Sequence, residues 1–171
     1  MNIYGINRYA HKLDCFANFA MMLSRLSTCK RSQNGAIVFP TNCFEVLSIG
    51  YNGPASGISN DACTGEEGIC GCAHAEMNAI TKLSDRKTPS LIFTTSTPCV
   101  QCANAILNSG NIVGIIYKDL YRDLTGFHML KPRIPTIAYT EIRNIILGTL
   151  PTLDIETILC SWANIGKKNK C

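Results

Sequence analysis

Four side chains in two short segments could do chemistry together. They are His74 and Glu76 in His74-Ala-Glu76, and two thiols in Pro98-Cys99-Val-Gln-Cys102. Imidazole and thiolate are zinc ligands, and three protein ligands leave a fourth tetrahedral position open, which marks a catalytic rather than a structural zinc. Zinc held there supplies a Lewis acid and lowers the pKa of water from about 16 toward 7. Glu76 stands two residues from His74, so it need not face the metal and can instead carry a proton between water and a reacting group. Alone, Cys-x-x-Cys also fits half a zinc ribbon or a redox pair. The conjunction is more specific, because each segment opens a predicted helix and a predicted strand lies between them.

The elements that must position these groups are legible from pattern. Helical spacing predicts a helix from about Arg8 to Thr28, through Leu13, Phe16, Ala17, Ala20 and Leu23. Gly35–Phe39 reads as a strand, Pro40–Asn42 as a turn and Glu45–Ile49 as the hairpin partner, ending at Gly50-Tyr-Asn-Gly53. Pro54–Gly71, rich in Gly, Ser, Asn, Asp and Cys, reads as a long loop that must be pinned or functional. Helices follow over Ala73–Leu83, Cys99–Ser109 with Gly110 as C-cap, and Asp123–Leu130. Strands are predicted at Ser90–Thr95, Ile112–Tyr117 and Ile134–Tyr139, and a last helix over Leu153–Asn164 with Thr152 as N-cap. On His74 and Cys99–Cys102 this places both segments at helix N-termini, which favour thiolate over thiol. Alternating strands and helices after the hairpin imply parallel strands with crossovers. The expected fold is α/β, three layers, with a five-stranded mixed sheet flanked by helices in a single domain over 1–171.

Bulk properties narrow the class. Apolar residues make up 46%, enough for one core, and charged residues only 16%, which implies surface buried between subunits. Sixteen basic against twelve acidic residues give +4, too little and too scattered to indicate nucleic-acid binding. Lys167, Lys168 and Lys170 form a local run that reads as a solvated tail. The apolar stretch Leu13–Leu26 is broken by Asp14, Asn18 and Arg25, so neither a leader nor a membrane span is expected. A cytoplasmic location follows, in which ten cysteines serve as metal ligands and core fillers rather than a disulfide framework.

On these residues the chain resembles the cytidine deaminase superfamily, and within it the deoxycytidylate (dCMP) deaminases, including phage forms. The His-x-Glu and Pro-Cys-x-x-Cys pair is the signature of zinc nucleobase deaminases, with Glu as acid/base rather than ligand. The resemblance runs from about Ser27 to Tyr139 and takes in Asn34-Gly-Ala-Ile-Val38, Gly50-Tyr-Asn-Gly53, Cys72-Ala-His-Ala-Glu-Met-Asn-Ala-Ile80, Pro98-Cys-x-x-Cys102-Ala, and Tyr117–Asp123 with Gly126. It implies hydrolysis of dCMP to dUMP and ammonia, supplying dUMP for dTMP synthesis. It also implies a homohexamer with dCTP as activator and dTTP as inhibitor at a separate, Mg2+-assisted site. Gly50, Tyr51, Asn52, Gly53 and Asn78 match the family segments around that site; the alternative for Gly50–Gly53 is a strand-ending turn. The chain departs from the family at Asn34, where an apolar residue is usual, and at Lys131-Pro132-Arg133, which breaks the expected helix end.

Chemistry then suggests substrate contacts. The backbone N–H of Ala75 faces the pyrimidine O2, and the carbonyl of Thr97 or Pro98 accepts from the departing amine. Tyr121 stacks on the base, Asn42 meets the sugar, and Arg122 or Lys118 meets the phosphate. Each could instead be an ordinary loop residue.

Cys63, Cys70 and Cys72 cluster in or beside the long loop, and Cys29 precedes the first strand. Some phage relatives carry a second, structural zinc in these segments, and four thiolates make a closed site without room for water. The alternative is a set of free thiols. Cys15, Cys43, Cys160 and Cys171 show no ligand spacing. Three other functions remain: a dCTP or bifunctional deaminase, a tRNA or single-stranded nucleic-acid deaminase, and a zinc-stabilised interaction protein without catalysis. The last has no use for Glu76.

Overall fold

Along the first strand, Ile37 and Phe39 pack to one side and Ala36 and Val38 to the other, and this alternation sorts the molecule into three layers. The structure is a computed structural model that describes residues 3–43 and 45–147. Five strands run β1 (Gly35–Pro40), β2 (Ser48–Tyr51), β3 (Ser90–Ser96), β4 (Ile112–Asp119) and β5 (Thr136–Ala138). They form one mixed sheet in the order β2-β1-β3-β4-β5. β1 is antiparallel to both neighbours, whereas β3, β4 and β5 are mutually parallel. The expected five-stranded sheet between helices is what the chain forms.

Helices α1 (Ile3–Ser24) and α5 (Tyr139–Ile146) cover one face. There Leu13, Ala17, Ala20 and Leu23 of α1 meet Ile37, Phe39, Leu91, Phe93 and Ile116, with Ile142 of α5 beside them. Helices α2 (Ala75–Lys82), α3 (Val100–Ser109) and α4 (Thr125–Leu130) cover the other. Ala79, Ile80, Ala103, Ile106 and Leu130 lie there on Ala36, Val38, Ile92 and Ile115. A register shift at Ser90/Leu91 lets Ile112 and Ile115 share one face while Val113 and Ile116 share the other. Both faces of the central strands are buried, which accounts for their nearly continuous apolar runs.

Boundaries differ where tertiary contacts override pattern. α1 stops at Ser24 rather than near Thr28, because Arg25 and Leu26 turn into tighter hydrogen bonds to Met22 and Leu23. β2 is Ser48–Tyr51 rather than Glu45–Ile49, since pairing with β1 begins only at Val38↔Ser48, after a turn in which Cys43 has φ 52. β5 is trimmed to Thr136–Ala138, because Pro135 has no N–H to pair and offers only its carbonyl, to Ile115. Tyr139, read as strand, opens α5, a helix the pattern missed; the Tyr139 hydroxyl and Arg143 both bond Asp14 of α1. Gly110 ends α3 in the left-handed conformation, φ 73, as expected. The helix expected at Leu153–Asn164 lies outside the described residues. No helix of the described residues is long and apolar enough to cross a membrane.

β2 lies unusually close to α2. A Cβ on Gly50 would collide with the Ala75 carbonyl and come within 2.5 Å of the Ala79 nitrogen, so only glycine lets the strand approach the helix that carries the site.

Candidate active site

His74 and Cys99 occupy the same local position, the residue just before the first turn of α2 and α3. Serine or aspartate there would turn its oxygen onto the helix N–H groups. Neither side chain caps its helix; both turn toward each other. His74 Nδ1 lies 3.3 Å from Cys99 Sγ and 3.3 Å from Cys102 Sγ. Zn–S of about 2.3 Å and Zn–N of about 2.1 Å in a tetrahedron separate nitrogen and sulfur by about 3.6 Å. The three donors are therefore already at ligand spacing, and they fit zinc.

Each ligand is held from behind. Ala73 exchanges two backbone hydrogen bonds with Gly53, at 2.8 and 3.2 Å, which pins the residue before His74. Asn78 Nδ2 donates to the Tyr51 carbonyl at 2.8 Å, tying α2 to β2. The Pro98 side chain is fully buried. α4 packs on the Pro98–Cys99 backbone at Gly126, where any Cβ would strike the Pro98 carbonyl. The Cys99 thiol is pushed down to about 4, first by the hydrogen bond with Cys102 and then by His74. Cys102 is pushed up by the same bond and by burial. The pair without metal thus holds one ready thiolate, and a cation at the site would draw the second proton off.

Glu76, 7% exposed, is the buried carboxyl of the site, and burial raises its pKa. It lines a cleft together with His74, Ala75, Thr97, Cys99 and Tyr121. Ala75, first residue of α2, has an N–H that no residue four positions earlier in the helix accepts. Ala75, Thr97 and Tyr121, expected at the substrate, therefore come together with the metal ligands. Pro98 does not line the cleft, and its carbonyl backs onto α4.

Other expected contacts do not converge. Asn42 lies in the turn beyond Pro40, which pairs with Ser90 at the start of β3, whereas the cleft opens at Ser96 and Thr97 at its end. Asn42 is thus at the wrong end of the sheet for the sugar. Arg122 pairs with Glu67, and Lys118 with Asp119; both lie exposed and outside the cleft lining.

The segment before β1 takes their place, and the sequence reading missed it. Arg31, Ser32 and Asn34 line the cleft with Ser96. Asn34 Oδ1 accepts from the hydroxyls of Ser96 at 2.9 Å and Thr95 at 3.2 Å, and its backbone N–H donates to Asn52 Oδ1 at 2.7 Å. No local pattern signals this, because it follows from β1 lying antiparallel to β3, which brings whatever precedes Gly35 beside the end of β3, where Cys99 begins the next helix. Asn52, 5% exposed, is a brace for this segment, donating also to the Ser32 carbonyl at 2.7 Å.

The second cysteine group also assembles. Sγ atoms of Cys29, Cys63, Cys70 and Cys72 all lie within 4.8 Å of one another. Cys29 and Cys63 are buried, with sulfurs 3.9 Å apart, close to the roughly 3.8 Å of two thiolates on a tetrahedral zinc. The Lys30 N–H, 3.4 Å from Cys63 Sγ, lowers that thiol to about 7, while burial raises Cys72. Among the described residues the cysteines form no disulfide. Cys15 and Cys43 stand apart from both groups.

Two helix N-termini converge on an imidazole and two thiols beside a buried glutamate, a donor set that fits a zinc ion with one position left open. The family model described as cytidine and deoxycytidylate deaminase zinc-binding region matches residues 11–118, and the chain belongs to that family. It is similar to ComE operon protein 2 of Bacillus subtilis (strain 168), 32% identical over 108 residues, covering 59% of this chain and 56% of that protein. It is 25% identical over 130 residues to deoxycytidylate deaminase of Schizosaccharomyces pombe, covering 67% of this chain and 39% of that protein. The chain thus spans about half the length, or less, of these two relatives. Among solved structures it resembles dCMP deaminase from the cyanophage S-TIM5 in complex with dCMP and dUMP. That likeness has TM-score 0.63 and 27% identity, over 73% of this chain and 94% of the other.

Proposed function

We propose that the protein hydrolyses dCMP to dUMP and ammonia, with Glu76 as proton carrier. The observation that carries this reading is a buried carboxyl in the cleft that His74 and Cys99 line, where these two and Cys102 stand at zinc-ligand spacing. His74, Cys99 and Cys102 would hold the zinc, which when bound would supply a Lewis acid for activating water. Glu76 takes the proton from the attacking water and passes it to N3 of the pyrimidine as the C4–O bond forms. It then moves the second proton to N4, so that the C4–N4 bond breaks and ammonia leaves. The Ala75 N–H binds O2 and the Thr97 carbonyl receives the departing amine. Tyr121 flanks the base. Family membership and likeness to an enzyme crystallised with dCMP and dUMP support the substrate.

The finer parts of the proposal follow the family. The chain is one domain over 1–171, acts in the cytoplasm to supply dUMP for dTMP synthesis, and assembles as a homohexamer. dCTP activates and dTTP inhibits through a Mg2+-assisted site that includes Gly50, Tyr51, Asn52, Gly53 and Asn78. A second zinc held by Cys29, Cys63, Cys70 and Cys72 orders the long loop. One experiment tests substrate and regulation together: ammonia release from cytidine, dCMP, CMP, dCTP and an oligonucleotide, each with and without dCTP and dTTP. Preference for dCMP, raised by dCTP and lowered by dTTP, is the expected result. Preference for dCTP or for the oligonucleotide sinks the proposal.

A further inference from the structure

Of the residues lining the cleft, Arg31 is the sole lysine or arginine among the described residues. Its Nη2 donates to the Tyr121 hydroxyl at 2.7 Å. Among the described residues no carboxylate pairs with it, in contrast to Arg122, Lys118 and Arg143. A guanidinium whose partner is a single phenol hydroxyl has most of its five donors left for something else. The same wall carries Ser32, whose Oγ accepts from Asn34 Nδ2 at 2.8 Å and so has its own O–H left to donate. A planar cationic fork beside a hydroxyl is suited to a phosphate dianion and would gain little from an uncharged sugar end.

We infer that Arg31 binds the 5′-phosphate of the substrate and sets its preference for a nucleoside monophosphate over the free nucleoside. This rests on the dCMP reading of the site. The arginine is held from three directions. Tyr121, which accepts from it, donates its own backbone N–H to Thr97 Oγ1 at 2.8 Å, so the fork is tied to the segment leading into Cys99. Two residues upstream, Cys29 belongs to the four-thiol group. Three residues downstream, Asn34 is fastened to Asn52, Thr95 and Ser96. The cation is thus fixed before substrate arrives, which removes much of the ordering cost of binding.

The test is the ratio of kcat/KM for dCMP to kcat/KM for deoxycytidine, measured on the zinc-loaded full chain. Arg31→Gln lowers this ratio about 10- to 100-fold, chiefly through the KM for dCMP, the effect of losing a charge-assisted pair. Arg31→Lys keeps a charge without the fork and lowers it less. Tyr121→Phe keeps the ring but frees the fork, lowering it roughly threefold. Zinc content and melting temperature report folding in each variant. A ratio unchanged in both Arg31 variants, with wild-type preference for dCMP intact, would overturn the inference and leave the dCMP reading standing. Wild-type protein that turns over both substrates equally well would overturn the dCMP reading itself.

Discussion

The two donor groups of this protein border one cleft but stand on different kinds of backbone. His74, Cys99 and Cys102 come from the starts of α2 and α3, braced by β2, α4 and the end of β3. Cys29, Cys63, Cys70 and Cys72 come from connections between elements, one before β1 and three in or beside the long loop. The first group has three ligands and a buried carboxyl near its open side. The second has four sulfur donors and no carboxylate among them. With an ion bound, donor count would separate a site that leaves room for water from one that closes. Backbone type separates a site that the fold holds ready from one that must itself hold the fold. The shared wall adds a link between them, because Cys29 of the second group anchors the chain that delivers Arg31.

This contrast can be broken in four ways. The largest effect is expected from Glu76→Gln, which should cut ammonia release from dCMP by about 10³- to 10⁴-fold while zinc content stays at the wild-type level. Turnover within tenfold of wild type would remove Glu76 from the chemistry. Next, Cys99→Ala should abolish activity and lose one zinc per chain by elemental analysis. Cys63→Ala should also lose one zinc, yet it should lower the melting temperature by roughly 10 °C, the shift of about 3 kcal/mol in a chain of this size, and expose the 54–71 loop to protease. If both variants give the same pattern, the distinction between catalytic and structural groups fails. Third, graded chelation should strip the three-ligand site first, so that activity falls before the melting temperature does. A single step in both would contradict the difference in closure. The smallest effect belongs to Cys15→Ser. Cys15 is exposed and belongs to neither group, so metal content should not change and melting should shift by less than about 1 °C.

Particular residues show how far local pattern reaches. Short, nearly continuous apolar runs mark β1, β3 and β4, strands that are buried on both faces. The same reasoning failed at Tyr139. A three-residue strand leading directly into a helix leaves too few residues to show either period, and the helix is held by a pairing with Asp14, 125 residues away. Arg122 and Lys118 looked like phosphate ligands because they are basic and lie at or just beyond the end of β4. Each is taken by a nearby carboxylate in solvent, and Lys118 by its own neighbour in sequence.

Sequence alone singled out the candidate metal ligands and the glutamate beside them. Their geometry is local: the residue just before a helix and the residue three further on necessarily share the helix start, and a strand that ends beside another helix start brings the two together. It also determined the layered α/β fold, because hydrophobic periodicity is a property of each element by itself. Only the tertiary structure decided that Cys29 meets Cys63, and that the cation facing the cleft is Arg31. Both depend on β1 lying antiparallel between β2 and β3, a pairing that carries residues from before Gly35 to the end of β3. Register of that kind is set by the packing of whole faces rather than by any single segment.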